Sequence, residues 1–376
     1  MKKNLAILMI TLGSGGAEKF VSLMLPELIK DYNVSLVLFN EIIHFDIPKG
    51  VSIVILNKNK KLSYFKNITL FPRLIFRYVK FLKQNSIDFS ISLLTRPNLI
   101  NSFSKVFNKN IKIIISERCY PSLAYKSYKF RFYLYKLLLP ILYNKSDCLF
   151  SNSIEINKDL HKNFGLKIPM HVIYNPVVLS KQRVPISINL EKEFTIINIG
   201  SLYQIKNQLL LIKAFSKLKM NRRLLLVGDG KDKKQLQNTS LELVLKNEII
   251  FTGKIKNVNE YLLKSDCFVL SSNSEGFPNV LIEAMAIGLP VISTNCKSGP
   301  LEILNENNKV IINDGEFYLA KYGLLINVGD EDALIKAINF FYNNYSERVK
   351  YSDLSYERAK EYDVNTIYIK LNQLLC

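Results

Sequence analysis

An alternation that runs almost the whole length of the chain narrows the fold more than any other feature. Short apolar runs, each bounded by polar or turn residues, take turns with amphipathic stretches of helical period. "LAILMIT" (5–11) precedes the amphipathic "EKFVSLMLPELIK" (18–30) and then "YNVSLVLF" (32–39). "DFSISLL", "KIIIS", "DCLFSNS" and "HVIYNPV" continue the series. The second half repeats it with "FTIINIG", "QLLLIKAFSKLK", "RLLLVGDG", "EIIFTG", "VNEYLLKSD", "CFVLSS" and "PVISTN". Apolar strands separated by helices that cover them are the sequence form of α/β domains with parallel sheets. At 376 residues and 48% apolar, the chain can build two domains, each with its own core. The stretch 176–193, "PVVLSKQRVPISINLEKE", is polar, holds two prolines and has no period, so it reads as the interdomain linker.

Several classes are set aside by what the chain lacks. After Met1-Lys2-Lys3 the apolar run reads as a buried strand ending in glycines, not as a signal peptide. No uninterrupted apolar run approaches the roughly eighteen residues of a spanning helix. The five cysteines (Cys119, Cys148, Cys267, Cys296, Cys376) form no C-x-x-C pair and, with three dispersed histidines, suggest no metal site; they suit a reducing cytoplasm. "GDED" (329–332) precedes a helical run and reads as an N-cap, not a metal-binding D-x-D. The charge is uneven. Residues 1–190 hold 28 Lys and Arg against 10 Asp and Glu, while residues 191–376 hold 23 against 22. A first half this basic faces something anionic.

The stretch "SEGFPNVLIEAMAIGLP" (274–290) carries two glutamates, Glu275 and Glu283, with seven residues between them. Pro278 suits the first helical position and Gly288 the residue after the helix. The helix then starts at the C-terminal edge of a parallel sheet, where its amides and dipole favour a phosphate. Glu283 falls among Val280, Leu281, Ile282, Ala284, Met285 and Ala286. A carboxylate in such surroundings needs strong hydrogen-bond donors. A sugar diol supplies two; a backbone amide or a lysine is the structural alternative. Lys206, in "NIGSLYQIKNQ" (198–208), comes near the same edge and is a point charge suited to a diphosphate, or else a solvated surface lysine. "TLGSGGAEK" (11–19) fits neither G-x-G-x-x-G nor a P-loop, which leaves a glycine turn that a ligand approaches closely.

The combination resembles glycosyltransferase family 4. The motifs are the E-x₇-E of "SEGFPNVLIE", "GSGGAE" after the first strand, "GSLYQIKNQ", "VGDG", "FTGKIKNVNEYL", "SGPLEIL" and "GLLINVGDEDAL", in family order over nearly the full length. The resemblance implies an α/β GT-B fold, two Rossmann-like domains with parallel sheets facing a central cleft. It implies an N-terminal acceptor domain (1–180), a C-terminal nucleotide-sugar domain (190–352), and a tail (353–376) packing back on the first. It also implies a retaining transferase that needs no metal or other cofactor. Residue by residue, Glu275 and Lys206 would be catalytic, beside the donor sugar and on the diphosphate respectively. Glu283 would bind the ribose. Backbone near Phe277, Asn279 and Val280 would join Lys206, Gly253 and Lys254 would lie by the base, and Gly15 and Gly16 would let the first domain's backbone meet the diphosphate. Two positions depart from the family. Ser201 stands where many members have Arg, and Glu117 and Arg118 occupy the loop where some relatives have a histidine, as candidates on the acceptor side.

"FPRLIFRYVKFLK" (71–83) sets Phe71, Leu74, Ile75, Tyr78, Val79 and Leu82 on one face, with Arg73, Arg77, Lys80 and Lys83 on others. "KSYKFRFYLYKLLLPILYNKS" (126–146) is similarly mixed. Such helices either pack on a core or lie on anionic lipid. The expected partners are therefore a nucleotide-sugar donor with a hexose or N-acetylhexosamine carried on UDP, a lipid-linked saccharide acceptor, and the cytoplasmic leaflet of the inner membrane, in O-antigen or capsule synthesis. Nucleic acid is not expected, since no recognition motif is present. The alternatives are a GT-B nucleotide-sugar epimerase, for which Glu117 is the sole first-domain acid/base candidate, and a non-enzymatic basic nucleic-acid-binding protein.

Overall fold

The computed structural model describes every residue except 58–70, 127–128, 181, 185–192, 246–247 and 256, with residues 125, 126 and 129–131 given by backbone alone. The chain forms two compact units, residues 1–176 with 364–376, and residues 177–363.

Unit 1 holds a seven-stranded parallel sheet in the order β3-β2-β1-β4-β5-β6-β7. The strands are β1 (Lys3–Met9), β2 (Tyr32–Leu38), β3 (Ser52–Ile55), β4 (Phe89–Leu93), β5 (Lys112–Glu117), β6 (Cys148–Ser151) and β7 (Met170–Val172). Side chains alternate across a strand, so β1 sends Leu5, Ile7 and Met9 to one face and Ala6 and Leu8 to the other. Helices α1 (Gly16–Asp31) and α14 (Val364–Gln373) cover the first face, where Phe20, Met24 and Leu28 meet Ile367, Leu371 and Leu375 in one core. The second face is covered by α2 (Phe71–Gln84), α3 (Thr95–Ser104), α5 (Lys129–Tyr143) and α6 (Ile154–Phe164), with the short α4 (Pro121–Lys126) beside α5 and α6.

Unit 2 is built the same way on β8 (Phe194–Ile199), β9 (Arg222–Val227), β10 (Ile249–Gly253), β11 (Cys267–Leu270), β12 (Val291–Thr294), β13 (Phe317–Ala320) and β14 (Gly323–Ile326). Their order is β10-β9-β8-β11-β12-β14-β13, parallel except for the β13–β14 hairpin. Its helices are α7 (Gln208–Ser216), α8 (Lys233–Glu242), α9 (Val258–Leu262), α10 (Asn279–Met285), α11 (Pro300–Asn305), α12 (Glu331–Asn343) and α13 (Tyr345–Lys360). Asp330 caps α12, its Oδ1 accepting from Ala333 N–H at 2.9 Å, the role expected for "GDED".

The unit boundaries differ from the sequence expectation. Residues 177–180 belong to unit 2, because Val177 N–H donates to Tyr362 O at 2.8 Å. The expected linker is in part tied down: Val184 N–H donates to Ile287 O at 2.9 Å, while residues 181 and 185–192 lie outside the described residues. Residues 353–363, expected in the returning tail, complete α13 and its exit within unit 2, anchored where Arg358 donates to Ile303 O (3.0 Å) and Glu302 O (2.7 Å). Residues 364–376 alone join unit 1.

Candidate active site

In unit 2 the chain builds β8, β9 and β10 outward in one direction, then returns to lay β11 on the other side of β8. The loops after β8 and β11 therefore lie side by side at a topological switch point, the place where open α/β sheets bind ligands. The loop after β8 runs through a 3₁₀ turn, Gln204–Lys206, and the loop after β11 carries Glu275. They meet. Lys206 Nζ donates to Glu275 Oε1 at 2.6 Å and to Oε2 at 2.8 Å. Ser272 Oγ donates to the same Oε1 at 2.6 Å. The Glu275 side chain is 7% exposed and that of Lys206 26%, so the carboxylate is set in the wall and the ammonium reaches the surface. Bonds to backbone carbonyls lock the two loops together: Asn273 N–H donates to Ile205 O (2.8 Å) and Ser271 Oγ to Lys206 O (2.9 Å). Thr294 Oγ1, at the end of β12, donates to Ser272 O at 2.6 Å. The sequence singled out Lys206 and Glu275 but not Ser271, Ser272, Asn273 or Thr294. The polar run "SSNS" directly after an apolar strand was the available signal.

"VGDG" has a clear mechanical purpose. Gly228 has φ +139°, and a Cβ there would lie 1.9 Å from Gly200 O. Only glycine lets the loop after β9 cross so close to the backbone before Ser201, which is itself exposed. Gly253 ends β10 and bonds back to Gly228 N–H at 3.0 Å; Lys254 follows it, exposed, at the same sheet edge.

Helix α10 is shorter than expected. Pro278 is its N-cap rather than its first residue, the helix spans Asn279–Met285, and Leu281 N–H donates to Pro278 O at 3.0 Å. Gly288 takes the left-handed φ of +74° just beyond the end, as predicted. Asn279 and Val280 are half-buried in the first turn. Phe277 is turned inward, its ring 5.8 Å from that of Tyr362, so at this position the backbone is what a ligand can meet. Glu283 is half-buried, one turn in from the helix start, and less enclosed than its apolar neighbours suggested.

Unit 1 places the remaining candidates around its own switch point, between β1 and β4. Gly15 and Gly16 are exposed where α1 begins, and Gly15 has an ordinary extended φ of −84°. A left-handed turn therefore does not explain Gly15; the Glu18 carboxylate does, since a Cβ at Gly15 would lie 2.4 Å from Glu18 Oε2. Glu117 ends β5 and is 1% exposed. Tyr143 Oη (2.5 Å) and Asn98 Nδ2 (3.2 Å) donate to its Oε1, and Thr95 Oγ1 (3.5 Å) to Oε2; burial nevertheless pushes its carboxyl up to about 7. Asn98 in turn accepts from Ser92 Oγ at 2.8 Å, and Asn101 accepts from Ser90 Oγ at 2.6 Å, so a polar network fills the space under α3. Arg118 is 8% exposed, with its guanidinium 3.8 Å from the Phe20 ring centroid and 4.8 Å from that of Phe150; it donates to Asn175 Oδ1 at 2.8 Å. Burial lowers it to about 9. Both side chains are thus held inside unit 1.

The apolar residues of the two basic helices are divided between core and surface. On α2, Leu74, Tyr78, Phe81 and Leu82 are spent on the core of unit 1, which leaves Phe76 exposed among Arg73, Lys80 and Lys83. On α5, Tyr133, Leu137 and Ile141, four residues apart, are exposed along one line beside Leu134. Among the described residues no helix is long and apolar enough to cross a membrane, and no three His, Cys, Asp or Glu side chains gather as metal ligands.

A family model for glycosyl transferases group 1 matches residues 181–358. Over the full length the chain is 30% identical, across 96% of each chain, to the N-acetylgalactosamine-N,N'-diacetylbacillosaminyl-diphospho-undecaprenol 4-alpha-N-acetylgalactosaminyltransferase of Campylobacter jejuni. The chain belongs to the group 1 glycosyltransferases. It is a hexosyltransferase, in keeping with the resemblance to family 4. A second C. jejuni relative, GalNAc-alpha-(1->4)-GalNAc-alpha-(1->3)-diNAcBac-PP-undecaprenol alpha-1,4-N-acetyl-D-galactosaminyltransferase, is 26% identical over 96% of this chain and 95% of its own. Sucrose-phosphate synthase of Thermosynechococcus elongatus superposes with a TM-score of 0.80 at 16% identity, covering 100% of this glycosyltransferase and 98% of that chain. Anabaena HepE in complex with UDP and glucose gives 0.76 at 17% identity, covering 99% of each. Both share the two-domain α/β architecture of the GT-B fold.

Proposed function

We propose that this glycosyltransferase moves a hexose or N-acetylhexosamine from a UDP-sugar to a lipid-linked saccharide during assembly of a bacterial surface polysaccharide. The observation that carries the donor half is the meeting of Lys206 and Glu275 at the switch point of unit 2, with Glu283 one turn into α10. A fixed cation suits the diphosphate, and carboxylates suit the hydroxyls of ribose and sugar. The acceptor half is supported by the two C. jejuni relatives, whose names specify undecaprenol-linked diphosphate acceptors.

Reaction would break the bond between sugar C1 and the diphosphate oxygen and form one between C1 and an acceptor hydroxyl oxygen. The hydroxyl proton passes to the departing phosphate. Lys206 neutralises charge that builds up on that phosphate, and this stabilisation is largest in the transition state. Glu275, engaged by Lys206 and Ser272, is not poised as a nucleophile, so attack on the face the leaving group vacates, with retention, is the course proposed; the alpha linkages in the relatives' names support it. No metal is required. The exposed apolar line of α5 and the basic residues of α2 would rest unit 1 on the anionic cytoplasmic leaflet.

The test is incubation with UDP-hexoses and UDP-N-acetylhexosamines together with a polyprenyl-diphosphate-linked saccharide. A lengthened lipid-linked product is expected. Conversion of the nucleotide sugar to its epimer with no lengthened product would replace this function with the epimerase.

A further inference from the structure

The Lys206–Glu275 pair raises a difficulty for a site that must hold a diphosphate. The one cation on these two loops is already engaged by both oxygens of a carboxylate, at 2.6 and 2.8 Å. The carboxylate is the fixed partner, enclosed and held by Ser272, while the lysine stands on a flexible four-carbon stem. The pair is not needed to join the loops, because Asn273 N–H to Ile205 O, Ser271 Oγ to Lys206 O and Asn273 Nδ2 to Gln204 O (3.2 Å) already do so.

We infer that Glu275 competes with the diphosphate for Lys206 and thereby makes the site favour an intact nucleotide sugar over the spent nucleoside diphosphate. The inference rests on the proposed placement of the diphosphate at Lys206. When Lys206 turns to the diphosphate, Glu275 loses its strongest donor in an enclosed position, and an enclosed carboxylate short of donors is costly. An intact donor brings sugar hydroxyls that can replace the lysine at Glu275. A nucleoside diphosphate brings none. After transfer the carboxylate therefore reclaims Lys206, and the product is driven out. Glu275 thus has two roles: it receives the sugar, and it sets how firmly the product is held.

The experiment is calorimetric titration of the full-length wild type, Glu275→Gln, Lys206→Ala and the double variant with UDP, GDP and ADP, and with the sugar conjugate of whichever binds. Glu275→Gln is expected to bind the free nucleoside diphosphate about tenfold more tightly than wild type, the scale of one hydrogen bond to a charged group, and to lose most of the preference for the sugar conjugate. In the Lys206→Ala background the same substitution should give no tightening, since there is no lysine to compete for. Product affinity unchanged or weakened in Glu275→Gln overturns the inference. So does equal tightening in both backgrounds, which would mark simple removal of a repelling charge. If Lys206→Ala binds the nucleoside diphosphate as well as wild type, or if wild type binds none of the three, it is the proposed donor site that fails. Should Glu275→Gln not fold, Ser272→Ala frees the carboxylate from its second donor; a changed ratio of product to donor affinity is expected, and an unchanged ratio contradicts the competition.

Discussion

Tyr143 Oη donates to Glu117 Oε1 at 2.5 Å, joining the last residue of α5 to the last residue of β5 inside unit 1. The helix with the exposed apolar line is thus fastened to a carboxyl that burial holds at about 7, against an ordinary 4.5. Folding raises this pKa, so the folded chain binds the proton more tightly than the unfolded one. The stabilisation is complete below the ordinary carboxylate value, declines as pH rises toward 7, and is lost above it; its size is roughly 3–4 kcal/mol. Glu117→Gln should flatten this dependence. The check is the melting temperature of both proteins from pH 5 to pH 8: the variant is expected to gain on wild type toward pH 8, and parallel curves would count against the buried proton.

Helix α14 should be indispensable to unit 1 despite its distance in sequence. Ile367 and Leu371 of α14, with Leu375 just beyond its end, are buried against the α1 side of that core, and each contributes roughly 1.5–3 kcal/mol by burial. Truncation after Asp363 should lower the melting temperature of unit 1 or prevent its folding, as read by thermal melts and limited proteolysis. Unimpaired folding would show that α14 is dispensable. Membrane tests therefore call for the whole chain rather than a fragment ending near residue 180.

The proposed membrane contact divides into two parts that can be tested separately. Replacing Leu137 and Ile141 by glutamate should abolish sedimentation with anionic liposomes even at low salt, because it removes the exposed apolar line of α5 on which the proposed contact depends. Replacing Arg73, Lys80 and Lys83 by glutamine should weaken binding and reduce its salt sensitivity, each cation being worth about 1 kcal/mol at an anionic surface. Binding that neither set changes would place the contact elsewhere.

The parallel sheets were legible because a two-residue alternation and a helical period leave separate marks on the chain. β1 shows this, sending Leu5, Ile7 and Met9 one way and Ala6 and Leu8 the other. The start of α10 was misplaced by one residue because a proline suits both the cap and the first turn. The β13–β14 hairpin was missed, as its turn at Lys321 and Tyr322 carries no Asn-Gly or Gly-Gly signal. Lys206 and Glu275 could each be singled out from local context, but their pairing could not, since 69 residues separate them and only the neighbouring of β8 and β11 brings them together. The buried polar network at Glu117 was likewise hidden. "TRPNLINSFS" looks like a surface stretch, and its asparagines find partners only across β4 and β5.

Lys206→Ala should depress turnover far more than donor affinity, because its charge is most useful when the phosphate departs. Rates at saturating donor, measured in EDTA, test this and the absence of a metal requirement together. Wild-type activity that survives EDTA, with the variant slowed at least about a hundredfold, is expected. Wild-type activity abolished by EDTA and restored by a divalent cation would mean that a metal carries the leaving-group charge.

In the proposed donor complex, unit 2 holds a nucleotide sugar with Glu283 on its ribose. The most direct measurement is calorimetric titration of wild type and Glu283→Gln with the preferred UDP-sugar, with circular dichroism to verify that both are folded. Replacing the charged acceptor by an amide should weaken binding by about 1.5–3 kcal/mol, roughly tenfold to a hundredfold in Kd. Equal affinity in the two folded proteins would contradict the assignment.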